Sequence, residues 1–235
     1  VSEIKLPLDA LYPTAQQDLR IQRAEGLLTS RCMRGRGFSY APPAPFHFDM
    51  ASARERLFGL IDEKEARAHG YAGRVEAESR PPASPPLSAT VEKALTGCVS
   101  ESAKAVSGGV ENVDPSVLDE LSMRTGGMAE ADERVKAKFR EWSACMKAEG
   151  FAFADPWQPN DDPRWQPGKP TAVEKRTAVA DVRCKHSTGL VDTWYTVLVG
   201  YQREAMSTFA GQLGRLADAT ATRDRNAKRV LADAR

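Results

Sequence analysis

Apolar residues recur at helical spacing through most of this chain, and almost nowhere do they alternate as a strand would require. Leu19, Ile21, Ala24, Leu27 and Leu28 make a stripe that runs up to Cys32 and Met33, with the period of an amphipathic helix. Pro7 and Pro13 bar a helix interior before it, Thr14 stands where a cap is wanted, and Gly37 supplies the residue that ends it. A second helix from about Ala129 carries Val135, Phe139, Trp142, Cys145 and Met146 on one side and stops at Gly150. Asp49 to Gly70 reads as another helical stretch with Leu57, Phe58, Leu60 and Ile61, made less continuous by Gly59. Thr90-Val-Glu-Lys93 and Thr171-Ala-Val-Glu-Lys175 open two helices that bear Cys98 and Cys184. Asp114-Pro115 marks the start of a short helix to about Arg124, and Gly126-Gly127 reads as a hinge. From Leu190 one long helix is predicted through Trp194, Leu198, Tyr201, Phe209, Leu213 and Leu216. Its stripe thins until Val230-Leu231, so its last turns are expected in solvent or against a partner. The pattern predicts an all-α fold.

Within that pattern one phrase occurs twice. Ser30-Arg-Cys-Met-Arg-Gly-Arg-Gly-Phe-Ser-Tyr40 is echoed by Ser143-Ala-Cys-Met-Lys-Ala-Glu-Gly-Phe-Ala-Phe153. Each copy closes a helix, and each is followed by one further cysteine. The expected architecture is therefore two duplicated, disulfide-stapled helical halves, residues 1–125 and 126–235, the second ending in the long C-terminal helix. A proline-rich connector over residues 79–88 interrupts the first half. Four cysteines allow three connectivities, and the duplication selects Cys32 with Cys98 and Cys145 with Cys184.

Composition narrows the setting. Lys and Arg number 33 against 32 Asp and Glu, a formal charge of +1, and the signs are interspersed. Such a chain has no single-sign field for nucleic acid or an anionic membrane. No apolar run approaches the about 20 residues that span a bilayer. An even cysteine count with wide spacing favours an oxidising compartment over a zinc site, where ligands come in close pairs. The opening Val1-Ser-Glu-Ile fits a mature protein whose export leader has been removed.

Candidate chemistry is sparse. A loop over residues 151–170 carries Trp157, Asp161, Asp162 and Trp165. It could bind a cell-wall glycan or a proline-rich peptide, with ring faces for stacking and carboxylates as acceptors; equally, both tryptophans could fold back as a belt over the Cys145–Cys184 bridge. The first copy has a parallel aromatic–proline loop from Phe38 to Asp49, which favours an architectural role. Asp155, Asp161 and Asp162 match no calcium loop, and His47, His69 and His186 have no metal-ligand spacing. No nucleophile elbow, P-loop, dinucleotide fingerprint or HExxH is present. The expectation is no cofactor, no metal and no catalytic residue.

Leu6-Pro-Leu-Asp-Ala-Leu-Tyr12, Arg23-Ala-Glu-Gly-Leu-Leu-Thr-Ser-Arg-Cys-Met33 and Gly37-Phe-Ser-Tyr40, with Trp142-Ser-Ala-Cys-Met-Lys-Ala-Glu-Gly-Phe151 and Ala180-Asp-Val-Arg-Cys184, resemble secreted or lipid-anchored proteins of high-GC Gram-positive bacteria. The resemblance implies an extracellular or cell-envelope location and brings no activity. The leading expectation is a non-catalytic accessory subunit that binds another envelope or secreted protein, in a transport complex for example. The alternatives are a cell-wall binder using Trp157 and Trp165, and a hydrolase with a site between the halves.

Overall fold

A computed structural model describes residues 4–47, 57–71, 87–109, 116–165 and 168–234. Those residues are all-α: nine helices and a 3₁₀ turn at Pro7–Leu11, with no strand among them. The helices are α1 (Ala15–Gly35), α2 (Glu63–His69), α3 (Ala89–Ser107), α4 (Ser116–Ala131), α5 (Glu133–Ala148), the single turn α6 (Trp157–Asn160), α7 (Ala172–Ser187), α8 (Leu190–Thr208) and α9 (Ala210–Ala232). Thr14 caps α1 and Thr171 caps α7, each through a capping box with the residue three further on, Gln17 and Glu174. Each box satisfies amide groups that a helix start otherwise leaves without partners.

The chain divides into two compact units, but not at a single cut. One unit holds Val1–Pro7, Met50–Arg80 and Glu120–Ala205; the other holds Leu8–Asp49, Pro81–Asp119 and Met206–Arg235. The contiguous halves 1–125 and 126–235 are thus replaced by interleaved ones. The reason is α9, which packs on α1 and α3 and so belongs with the first copy of the repeated phrase.

In that unit Ile21, Ala24, Val106 and Ala227 form one buried cluster, and Met33, Ala94 and Cys98 form another. The last turns of α9 are not wholly in solvent: Asp224, Asn226 and Ala227 are buried within this unit, while Arg229 and Ala232 stay exposed. They look polar because their buried face carries ion pairs and a side-chain-to-backbone hydrogen bond. Asp224 meets Arg20 at 2.8 Å and Lys228 at 2.9 Å, and the Asn226 side-chain amide donates to the Val106 carbonyl at 2.8 Å. Polar side chains can be buried when each finds such a partner.

The other unit has the larger core. Trp142, Met146, Val135, Cys184, Leu190, Trp194 and Leu198 are enclosed together with Leu6, Phe58 and Ile61. Residues 57–62 run as an extended strap into α2, which lies on α7 through Ala66, Ala178 and Val182. The helix expected from Asp49 to Gly70 is found only over Glu63–His69 among the described residues, with Asp62 as its cap. Gly59, with φ +68°, breaks it from the preceding residues. The start of the expected stretch at Asp49, the Asp114-Pro115 signal and most of the 79–88 connector lie outside the described residues. Gly126 and Gly127 are not a hinge: they lie inside α4. The long C-terminal helix is two helices, interrupted at Phe209.

Candidate functional site

Two bridges join Cys32 to Cys98 and Cys145 to Cys184, the pairing that the repeated phrase implies. The Cα–Cα separations are 5.6 and 5.7 Å, ordinary for a disulfide. Such bonds persist in oxidising, extracytoplasmic compartments.

The two bridged joints are built alike. The amide of Phe38 donates to the Met33 carbonyl and that of Phe151 to the Met146 carbonyl, both at 2.9 Å. Gly37 and Gly150 stand between, at φ +83° and +88°, a conformation that glycine adopts without a Cβ clash. The Ser30 hydroxyl reaches ten residues on to the Tyr40 carbonyl (3.1 Å), as Ser143 reaches Phe153 (2.6 Å). On the second helix of each pair, Ser102 and Thr188 bond back to the carbonyls of Cys98 and Cys184, each at 2.7 Å. Met33, Met146, Cys98 and Cys184 are fully buried.

Beside the Cys145–Cys184 joint lies a buried polar centre that periodicity did not reveal. Asp181 and Lys185, one turn apart on α7, form an ion pair at 2.9 Å with almost no solvent contact. The Trp142 indole donates to the other Asp181 oxygen at 2.9 Å, and the Lys185 ammonium also donates to the Leu60 carbonyl at 3.0 Å. His186 lies 3.1 Å from the Ile61 carbonyl, and Arg183 pairs with Glu63 at 3.0 Å. Arg183, Lys185 and His186, within about one turn of α7, therefore fasten residues 60–63 to that helix. A Cβ on Gly59 would stand 2.9 Å from the Lys185 ammonium and would displace it, and φ +68° also favours glycine there. Burial pushes the Asp181 carboxyl above its ordinary value, against the pull of Lys185, Trp142 and Tyr71. Burial also raises the Tyr71 phenol, helped by the Asp181 and Glu174 charges, so that it stays protonated. The sequence signal was an Asp-x-x-x-Lys spacing, which on an exposed helix reads as a solvated pair.

The candidate loop residues are placed as cover. The Trp157 ring packs edge-on against Trp194 at 5.6 Å, and its N–H donates to Glu130 at 2.8 Å. The Trp165 ring stacks on Tyr71 at 6.3 Å and lies beneath the Arg164 guanidinium, and its N–H donates to the Pro159 carbonyl at 2.7 Å. Asp162 accepts from the Arg164 backbone and side chain, and that guanidinium holds its carboxyl below the usual range. Asp161 is exposed and accepts from the Asn160 amide. Both indole N–H groups and the Asp162 carboxylate therefore have partners within their own unit. Among the described residues no three His, Cys, Asp or Glu side chains converge as a metal site, and no helix is long and apolar enough to cross a membrane.

No protein-family model, curated protein or solved structure matches the chain.

Proposed function

We propose that this chain is a non-catalytic extracytoplasmic binding protein, an accessory subunit that engages another protein of the cell envelope or the secreted pool. In this reading it belongs with the secreted or lipid-anchored proteins of high-GC Gram-positive bacteria that its Cys-Met phrases resemble, and its two bridged joints descend from one duplicated unit. The likeness of the two joints, hydrogen bond for hydrogen bond, supports the duplication. The two bridges support the compartment.

The observation that carries the binding role is what each unit leaves outside. Trp157 and Trp165 are engaged at home, whereas Met123 on α4 and Phe46 after the first joint each remain 72% exposed. Met128 adds a second exposed thioether on α4, and methionine adapts readily to varied partner surfaces. The test is affinity capture with the oxidised protein from envelope and culture fractions, run beside Met123→Glu. Recovery of a stoichiometric partner that the variant loses supports the reading. A strictly monomeric protein that captures nothing at high concentration overturns it.

A further inference from the structure

The loops that follow the two joints have different fates. After Phe153 the chain turns inward: Pro156 and Pro159 are buried, and Phe151, Phe153 and Trp157 pack on the core of their unit. After Tyr40 it stays outside. Residues 41–47 form neither helix nor bridge, Ala41, Pro42, Pro43 and Ala44 are exposed, and Phe46 stands out furthest.

Yet this outer segment is fastened at both ends to α1. Ser30 holds the Tyr40 carbonyl at 3.1 Å. The Gln22 amide grips the Phe46 backbone twice, accepting from its N–H at 2.9 Å and donating to its carbonyl at 2.8 Å. His47 Nδ1 lies 2.9 Å from Asp18. Between these anchors Pro42 rides over Gly26, where an added Cβ would stand only 3.0 Å from the proline ring. The anchors engage backbone groups at the two ends, so the Pro43 and Phe46 side chains are left facing outward.

Pro42-Pro43-Ala44-Pro45 is proline-rich, and with Pro42 turned onto Gly26 and Pro45 half-buried, Pro43 and Phe46 are the rings left outward. A proline-rich strand has few internal hydrogen bonds to lose, and grooves walled by aromatic side chains read its rings. Fixing it beforehand on α1 removes part of the ordering cost of binding. At its N-terminal edge lies an open depression lined by Ser30, Arg34, Gly37, Phe38, Ser39 and Tyr40, which brings one exposed guanidinium beside the strand.

We propose that Pro42–Phe46 is a preformed docking strand for a partner protein whose groove is walled by aromatic rings and carries a carboxylate facing Arg34. The proposal rests on the binding role above and names its partner class. It is tested in the oxidised full chain, within the cells that produce it, with photoreactive benzoylphenylalanine at Phe46 or, separately, at Met123. The competitors are a synthetic peptide of residues 38–47 and the same peptide with its three prolines changed to alanine. The expected result is an adduct from position 46 that falls at least tenfold with the native peptide and is unmoved by the alanine peptide. Arg34→Glu, at an exposed position and with its melting temperature checked against the parent protein, is expected to weaken the adduct similarly. Equal competition by both peptides overturns the docking strand. An adduct from position 123 alone overturns it too, while leaving the binding role in place. No adduct from either position overturns both.

Discussion

Lys185 places its ammonium 2.9 Å from Asp181 and 3.0 Å from the Leu60 carbonyl, with 1% of its side chain open to solvent. Taking two charges out of water is costly, and removing one partner leaves the other uncompensated. Lys185→Met is therefore expected to lower unfolding free energy by about 3–5 kcal/mol in urea titrations. The double change Asp181→Leu with Lys185→Met is expected to recover part of that loss, the rest being the Trp142 N–H and the Leu60 carbonyl left without partners. A fully additive double variant would show that the pair does not act as a unit. Other carboxylates set the acid limit. Asp62 is lowered chiefly by the Glu65 amide that it caps, and Asp132 chiefly by Arg134. A carboxyl lowered in the folded state contributes stability above its unfolded value, about pH 4, and loses it as the pH falls toward the folded value. The melting temperature is expected to drop as the pH falls below about 4, with a shallower drop in Asp62→Asn and Asp132→Asn.

At the scale of helices, each bridge ties two helix surfaces that also pack, α1 with α3 and α5 with α7. The closed loops separate the cysteines by 66 and 39 residues, so removing either bridge is expected to cost on the order of 4 kcal/mol in the chain-entropy account. Paired Cys→Ala variants in chemical denaturation measure this. Asn226→Ala is expected to cost about 1–3 kcal/mol, because it leaves the buried Val106 carbonyl without its donor. This is also where the sequence was least readable. Helix starts at Thr14 and Thr171 and the glycine stops follow from local chemistry, and the bridge pairing from the repeated phrase, all of which a single sequence displays. The docking of α9 does not, because its inward face is written in Asp224 and Asn226, residues that signal solvent until Arg20 and Val106 are brought to them. The burial of Asp181 and Lys185 is hidden in the same way: only the strap from a distant part of the chain covers their spacing. Of the candidate loop, the aromatic content was legible, but not that Glu130 and Tyr71 would occupy it.

Across the whole molecule, the chain completes the Cys32–Cys98 unit only with its final helix. Deleting Ala210–Arg235 is expected to abolish amide protection in α1 and α3, while the Trp142 and Trp194 environment of the other unit persists in near-ultraviolet circular dichroism. Loss of both signals would mean that the units fold as one cooperative body. Interleaving has a further consequence for assembly. Although the units borrow segments from one another along the chain, each cysteine pairs with the next one in sequence, Cys32 with Cys98 and then Cys145 with Cys184. A thiol oxidase that meets the cysteines in chain order would pair each with its neighbour. Oxidation in that order is expected to yield the native pairs, which oxidative refolding with and without a disulfide isomerase checks.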